Sequence, residues 1–197
     1  MSARLISIIG PPASGKTTLA EGLAEALPAR LVREDYAGNP FLTDSYLGRR
    51  EFALPSQLYF LFSRLSQLNL QTWPADGIVV TDYGFCQDAV YAAASLGDED
   101  LATYRRLSAG ADGMVTAPDL LICLDGPEQE LLDRIARRGR RHETAFTPSF
   151  LAALRRAYER IVSETSGAVL RIDAAAIDLR RDADRREITR RVREAME

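Results

Sequence analysis

The sequence predicts an α/β protein, a three-layer fold in which about five parallel strands carry helices on both faces. Short β-branched apolar runs alternate with segments of helical spacing along the whole chain. The strand candidates have few polar interruptions, as strands covered on both sides do, and parallel strands need crossovers that the intervening helices supply. With 197 residues, 46% apolar and 27% charged, a single domain over 1–197 is expected.

The elements follow in order. Residues 4–9 form an apolar run ending at Gly10, and 17–27 then places Leu19, Leu23, Ala24, Ala26 and Leu27 at helical spacing, so the start reads strand, glycine loop, helix. A short apolar piece at 30–33 leads into an irregular stretch at 35–39 closed by Pro40, which reads as a loop. From 51 to 73 apolar residues recur at Phe52, Leu54, Leu58, Phe62, Leu65 and Leu68. Tyr59, Phe60 and Leu61 widen that stripe nearly all round, which predicts a mostly buried helix. A strand at 77–82 and helices at 88–96 and 98–108 come next, then a strand at 120–125 and a helix at 128–137. A helix at 149–163, a strand at 168–173 and an arginine-rich amphipathic helix from 182 complete the pattern. There is no repeat and no low-complexity linker.

Composition excludes several classes. The 25 basic and 28 acidic residues leave a formal charge of −3, short of the positive excess that holds nucleic acid by its phosphates, so no nucleic-acid partner is expected. Cys86 and Cys123 lack CxxC spacing and the lone His142 cannot build a histidine cluster, which removes zinc sites and disulfide scaffolds and fits a reducing cytoplasm. No run approaches about 18 apolar residues, and no signal-like segment opens the chain, so neither a membrane span nor secretion is expected. Twenty-four of the 25 basic residues are arginine; the single lysine is Lys16.

That lysine lies in Gly10-Pro11-Pro12-Ala13-Ser14-Gly15-Lys16-Thr17, a full match to G-x-x-x-x-G-K-[ST] between a strand and a helix. Glycines let backbone N–H groups turn inward around a phosphate, and the helix N-terminus adds a favourable dipole. Lys16 brings a compact charge to the β and γ phosphates, and Thr17 a hydroxyl to Mg²⁺. Gly10 to Thr17, with Thr18, are therefore the expected ATP-binding residues. Asp82 ends a strand candidate, where a carboxylate either holds Mg²⁺ or simply turns the chain. Between Arg134 and Glu143, five arginines fall in eight positions around Gly139. Such a run is commonly solvated surface; at a glycine break it also suits a lid, expected over 134–144, that brings guanidiniums to a transferring phosphoryl group.

Further segments carry a resemblance: Glu34 followed by Asn39-Pro40-Phe41-Leu42, the run from Gln57 to Arg64, the pair Asp82 and Asp88, and Arg138-Gly139-Arg140 with Glu143. In order and spacing they resemble the deoxynucleoside kinases, P-loop enzymes that move the γ-phosphoryl of ATP to the 5′-hydroxyl of a deoxynucleoside, over most of the chain. The resemblance implies the P-loop kinase fold with an arginine-rich lid, ATP and Mg²⁺, a cytoplasmic salvage role and a homodimer. It also implies Glu34 as general base, Gln57 and Asp88 on the nucleobase with Arg64 paired to Asp88, and Tyr46 with Glu143 on the sugar 3′-hydroxyl. Tyr91 would pack near the base, although plain core packing suits it as well. Arg138 and Arg140 would contact phosphates, and Arg134 the adenine of ATP. Much of the family follows its third-strand acid with arginine and serine, the arginine lying near the attacking hydroxyl; this chain has Asp82-Tyr83-Gly84, similar to a bacterial Asp-Tyr branch.

Two other functions fit the same motifs. A nucleoside monophosphate kinase would want arginines in its acceptor pocket, and Arg49, Arg50 and Arg64 are available. Against it, a phenol and a carboxylate at Tyr46 and Glu143 suit a sugar hydroxyl better than an anion. A regulatory ATPase module would hydrolyse or sense ATP with no acceptor at all.

Overall fold

The computed structural model describes residues 2–140, 143 and 146–197. Among them β1 (Arg4–Ile9), β2 (Arg30–Val32), β3 (Ile78–Thr81), β4 (Leu120–Asp125) and β5 (Ala168–Asp173) form one sheet in the order β2-β3-β1-β4-β5. Every pairing is parallel.

The continuous apolar strands resolve into two faces with period two. Ile6, Ile8, Leu120, Ile122 and Leu124 point to one side, where α1 (Lys16–Ala26) and α8 (Asp182–Ala195) cover them through Leu19, Leu23, Ile188 and Val192. Ile9, Leu121 and Cys123 point to the other, against Val90 of α4 (Gln87–Ser95) and Leu154, Tyr158 and Val162 of α7 (Pro148–Glu164). On that same side Leu5 and Val79 pack with Leu68 and Tyr83. The remaining helices are α2 (Leu42–Tyr46), α3 (Ala53–Gln67), α5 (Asp98–Ser108) and α6 (Glu128–Arg138). No helix among the described residues is long and apolar enough to cross a membrane.

The expected strands and helices form within a residue or so of their sequence bounds, with one exception. The segment from 51 to 73 is divided: a 3₁₀ turn at Arg50–Phe52, then α3, then a second 3₁₀ turn at Leu70–Thr72. The break falls at Asn69, whose side chain accepts a hydrogen bond from the Gln71 N–H at 2.8 Å and so competes with helix continuation. Nor is this helix mostly buried. Phe62 is 57% exposed, and Leu54, Leu58 and Leu65 are half-buried. The fully buried face instead carries Gln57, Phe60, Leu61 and Arg64. The short helix α2 and a 3₁₀ turn at Ala111–Met114 have no counterpart in the sequence reading.

This strand order sets the site. From β1 the chain crosses to β2 and β3 on one side and later to β4 on the other, so a crevice opens beyond the carboxyl end of β1. Gly10 follows β1, Glu34 follows β2 and Asp82 follows β3, which brings the phosphate loop and two carboxylates to one end of the sheet. Gly10 has φ +143°, and a Cβ there would stand 2.2 Å from the Leu124 carbonyl oxygen, so the loop's first turn requires glycine.

Because Ile122 is fully buried in the central face of the sheet, Ile122→Ala is expected to cost about 2–5 kcal/mol by cavity formation. Chemical denaturation followed by circular dichroism measures it, and a cost within 0.5 kcal/mol (about the scatter of surface substitutions) would contradict this core.

Candidate active site

The loop that begins at Gly10 delivers Lys16 and Thr17 as the first residues of α1. The Lys16 ammonium donates to the carbonyl oxygens of Gly10 at 2.9 Å and Pro11 at 3.0 Å. Loss of hydration, helped by the nearby Arg138 charge and opposed by Asp82, lowers its pKa to about 8. Thr17 Oγ1 donates to Asp82 Oδ2 at 2.6 Å, while Asp82 Oδ1 accepts the backbone N–H of Glu34 at 2.8 Å. Burial raises the Asp82 carboxyl against the opposing pull of Thr17 and Lys16. Two hard oxygen donors at a strand end suit Mg²⁺, which takes one or two protein ligands and completes its shell with phosphate and water. No group of three or more His, Cys, Asp or Glu side chains that could hold a metal occurs among the described residues.

Glu34 is 7% exposed, so it is not a loop carboxylate facing water. Its Oε1 forms an ion pair with Arg64 Nη2 and accepts a hydrogen bond from Gln87 Nε2 at 2.9 Å. Arg64 projects from α3 and pairs through Nη1 with Asp88 Oδ1 in the first turn of α4, so one buried guanidinium spans two carboxylates. The rings of Phe60 and Tyr83 flank it, with centroids 5.2 and 5.6 Å from its central carbon. Tyr83 is itself held by a bond from its hydroxyl to Gln67 Oε1 at 2.6 Å. Burial pushes the Asp88 carboxyl up to about 6 despite Arg64, and neither of its oxygens has a well-directed hydrogen bond. Gln57, seven residues and so about two turns before Arg64 on the same helix face, is 4% exposed.

Two adjoining cavities organise these groups. A cleft of about 370 Å³ is lined by the loop from Pro12 to Thr18, by Glu34 and Asp82, by Tyr46 and Tyr91, and by Arg134, Arg138, Arg140 and Glu143. A narrow cavity of about 10 Å³ lies between Gln57, Phe60, Arg64 and the shared residues Glu34, Tyr36, Tyr46 and Tyr91. Asp88 lines neither and reaches the second through Arg64. Of the loop residues, Gly10, Pro11 and Ser14 do not line the cleft.

The lid arginines surround Glu143. Arg138 grips its carboxylate with two nitrogens, Nε at 2.9 Å from Oε2, and Arg140 Nη1 stands 3.6 Å from Oε1. Arg134 donates to the Ala174 carbonyl oxygen and to Glu130, both at 2.9 Å. α6 ends at Gly139 in the left-handed conformation, φ +65°, as its glycine break anticipates. Of the expected lid, Arg141, His142 and Thr144 lie outside the described residues. Tyr46 sits edge-on to Phe146 with ring centroids 5.0 Å apart. Tyr91 packs against Phe150 and lines both cavities.

Sequence reasoning missed three residues here. Tyr36 lines both cavities and packs edge-on against Phe60, its ring centroid 5.7 Å away. Tyr83 buttresses Arg64, and Gln87 bonds Glu34. An aromatic two positions after Glu34 was a usable signal for the first. For Gln87 no signal exists, since a polar residue in the first turn of a helix is commonplace.

Comparison with known proteins identifies the family. The family model described as deoxynucleoside kinase matches residues 6–197. A deoxyadenosine kinase of Dictyostelium discoideum is 32% identical over 166 residues, covering 82% of this chain and 67% of that one. A deoxyguanosine kinase of Bacillus subtilis is 27% identical over 180 residues, covering 90% and 87%. The deoxyadenosine kinase of M. mycoides, solved with dCMP and a flexible dCDP and separately with dATP, superposes with a TM-score of 0.81 at 19% identity in both cases; the dCMP structure is covered over 98% of its chain and 96% of this one. These matches support nucleoside phosphorylation over the monophosphate kinase and regulatory ATPase also compatible with the motifs. The chain belongs to the deoxynucleoside kinase family, ATP-dependent phosphotransferases of nucleoside salvage.

Proposed function

We propose a distribution of roles by which this kinase moves the γ-phosphoryl of ATP to the 5′-hydroxyl of a deoxynucleoside. The observation that carries it is the position of Glu34, which lines both the cleft around Lys16 and the narrow cavity beside Gln57. A carboxylate at that junction accepts the 5′-hydroxyl proton as the oxygen attacks phosphorus in line and ADP leaves. Lys16, Arg138 and Arg140 neutralise charge on the phosphates, and Arg134 borders the adenine of ATP. Thr17 and Asp82 would hold a Mg²⁺ ion, which supplies further charge neutralisation between the phosphates. Little covalent work falls to the protein; positioning and electrostatics carry the rate.

On the acceptor side, Tyr46 and Glu143 take the sugar 3′-hydroxyl and Tyr91 lies along the base. Gln57 both donates and accepts, and Asp88, whose oxygens have no well-directed donor beyond the Arg64 ion pair, accepts from an exocyclic amine, which favours an amino-bearing base such as the adenine and cytosine held by the M. mycoides kinase. The narrow cavity is too small for a base, so this reading requires the pocket to widen as the acceptor enters. The proposal takes 1–197 as one domain in the cytoplasm, with 134–144 as its lid. It includes pairing of two copies, whose test is sedimentation of the purified chain.

Three outcomes test these roles. ADP forms from ATP only when a deoxynucleoside is present, fastest with amine-bearing bases across a panel of the four deoxynucleosides, their ribose forms and their monophosphates. ADP release independent of acceptor would sink the kinase assignment.

Glu34→Gln should keep ATP binding by calorimetry and lose at least about 100-fold in turnover, the usual share of general-base catalysis.

Asp88 accepts from the base more strongly when ionised, and only the ionised form pairs with Arg64, so with its carboxyl at about 6, KM for the deoxynucleoside should rise as pH falls from 7.5 to 5. In Asp88→Asn that KM should be high and flat over the same range. A parental pH profile in the variant would remove Asp88 from base recognition.

A further inference from the structure

Gln87 has no role in the proposal above, yet it is 1% exposed and its amide meets the side chain that the chemistry turns on. It is the first residue of α4, and its backbone N–H is tied to the Gly84 carbonyl oxygen at 3.1 Å, so its origin is fixed by the chain that leaves β3. From there Nε2 donates to Glu34 Oε1 at 2.9 Å. Arg64 contacts the same oxygen. Both side-chain bonds that Glu34 accepts among the described residues therefore land on Oε1, while Glu34 itself borders the cleft.

We propose that Gln87 is a positioning residue for phosphoryl transfer: with Arg64 it ties down Oε1 of Glu34 and so leaves Oε2 aimed at the acceptor hydroxyl. This rests on the reading of Glu34 as the base. Arg64 is shared between two carboxylates, since the same guanidinium also pairs with Asp88. Gln87 is the donor that serves Glu34 without that divided loyalty. Its orientation has a cost, since Gln87 Oε1 is left buried with no partner. The opposite orientation would set that oxygen against a carboxylate oxygen, so the contact with Glu34 decides which way the amide faces. Gln87 lines neither cavity, which places its action on Glu34 rather than on the substrate.

The test is a double-substitution cycle read by single-turnover rates. Gln87→Met keeps the side chain's length and removes the donor. It should slow the chemical step about ten-fold, the scale of one hydrogen bond to a charged group, while KM for ATP and deoxynucleoside stays within about two-fold. In the Glu34→Gln background the same change should have no further effect, because there is no carboxylate left to aim. A parental rate in Gln87→Met, or a full ten-fold loss repeated on top of Glu34→Gln, overturns the proposal; the second result marks a merely structural glutamine. Should Gln87→Met fail to fold by circular dichroism, Gln87→Asn withdraws the donor by one methylene and is read by the same two criteria. A parental rate in Glu34→Gln alone would instead overturn the reading of Glu34, so the two failures are told apart.

Discussion

Everything at the carboxyl end of this sheet depends on one buried guanidinium. Glu34, Asp82 and Asp88 are each less than a tenth exposed, and three carboxylates so close would repel one another and lose their hydration. Arg64 pairs with two of them and is itself almost wholly buried, between the faces of Phe60 and Tyr83. Removing one member of such a buried pair typically costs about 3–5 kcal/mol, because the partner is left charged and dry. The arginine therefore lets the Glu34 and Asp88 carboxylates lie close together. The position after Asp82, occupied by arginine in much of the family, here carries Tyr83, which supports Arg64 through its ring and Gln67 through its hydroxyl. Cationic charge near Glu34 thus comes from a helix, and the strand end contributes an aromatic wall.

Sequence periodicity exposed most of the fold, because parallel strands and their covering helices leave strong and different periods. It failed where a side chain overrides the period. Asn69 stops α3 by taking the Gln71 N–H, although the leucines on either side continue the helical spacing. The apolar width of 51–73 also misled: Phe62 faces out while Gln57 and Arg64 face in, because the buried face of this helix belongs to a polar network and not to the core. Hydropathy counts carbon and cannot anticipate that a guanidinium will be buried by paired carboxylates from two other elements.

The site was legible to different depths for a similar reason. The phosphate loop is local, eight consecutive residues whose spacing encodes their geometry, and Lys16, Thr17 and Asp82 meet as their positions imply. Residues on separate elements were implied by resemblance, and all but Asp88 line one or both cavities, down to Tyr46 and Glu143 from segments almost a hundred positions apart. Gln87 was invisible because its importance lies in a contact with Glu34, 53 positions away, and nothing in its own neighbourhood marks it.

The ionisation pattern explains why such a site discriminates. Burial lowers the Lys16 ammonium to about 8, raises Asp82 and raises Asp88 to about 6, so each group is held in a place that disfavours its own charge. Each is a standing cost against folding, offset by the apolar layers on both faces of the sheet. On the proposed roles, that cost would become selectivity when a ligand brings the missing partners. Asp88 has two oxygens without well-directed donors, and Arg64 Nε lacks an acceptor. A base that supplies complementary groups relieves the network, whereas one without them seals unpaired polar atoms into a dry cavity. Pockets that recognise by hydrogen bonding reject an analogue lacking the group by factors of about 10⁴, where a purely apolar pocket manages about 10². On the proposed roles, the polar interior of α3 would do for base choice what a larger or more apolar cavity could not.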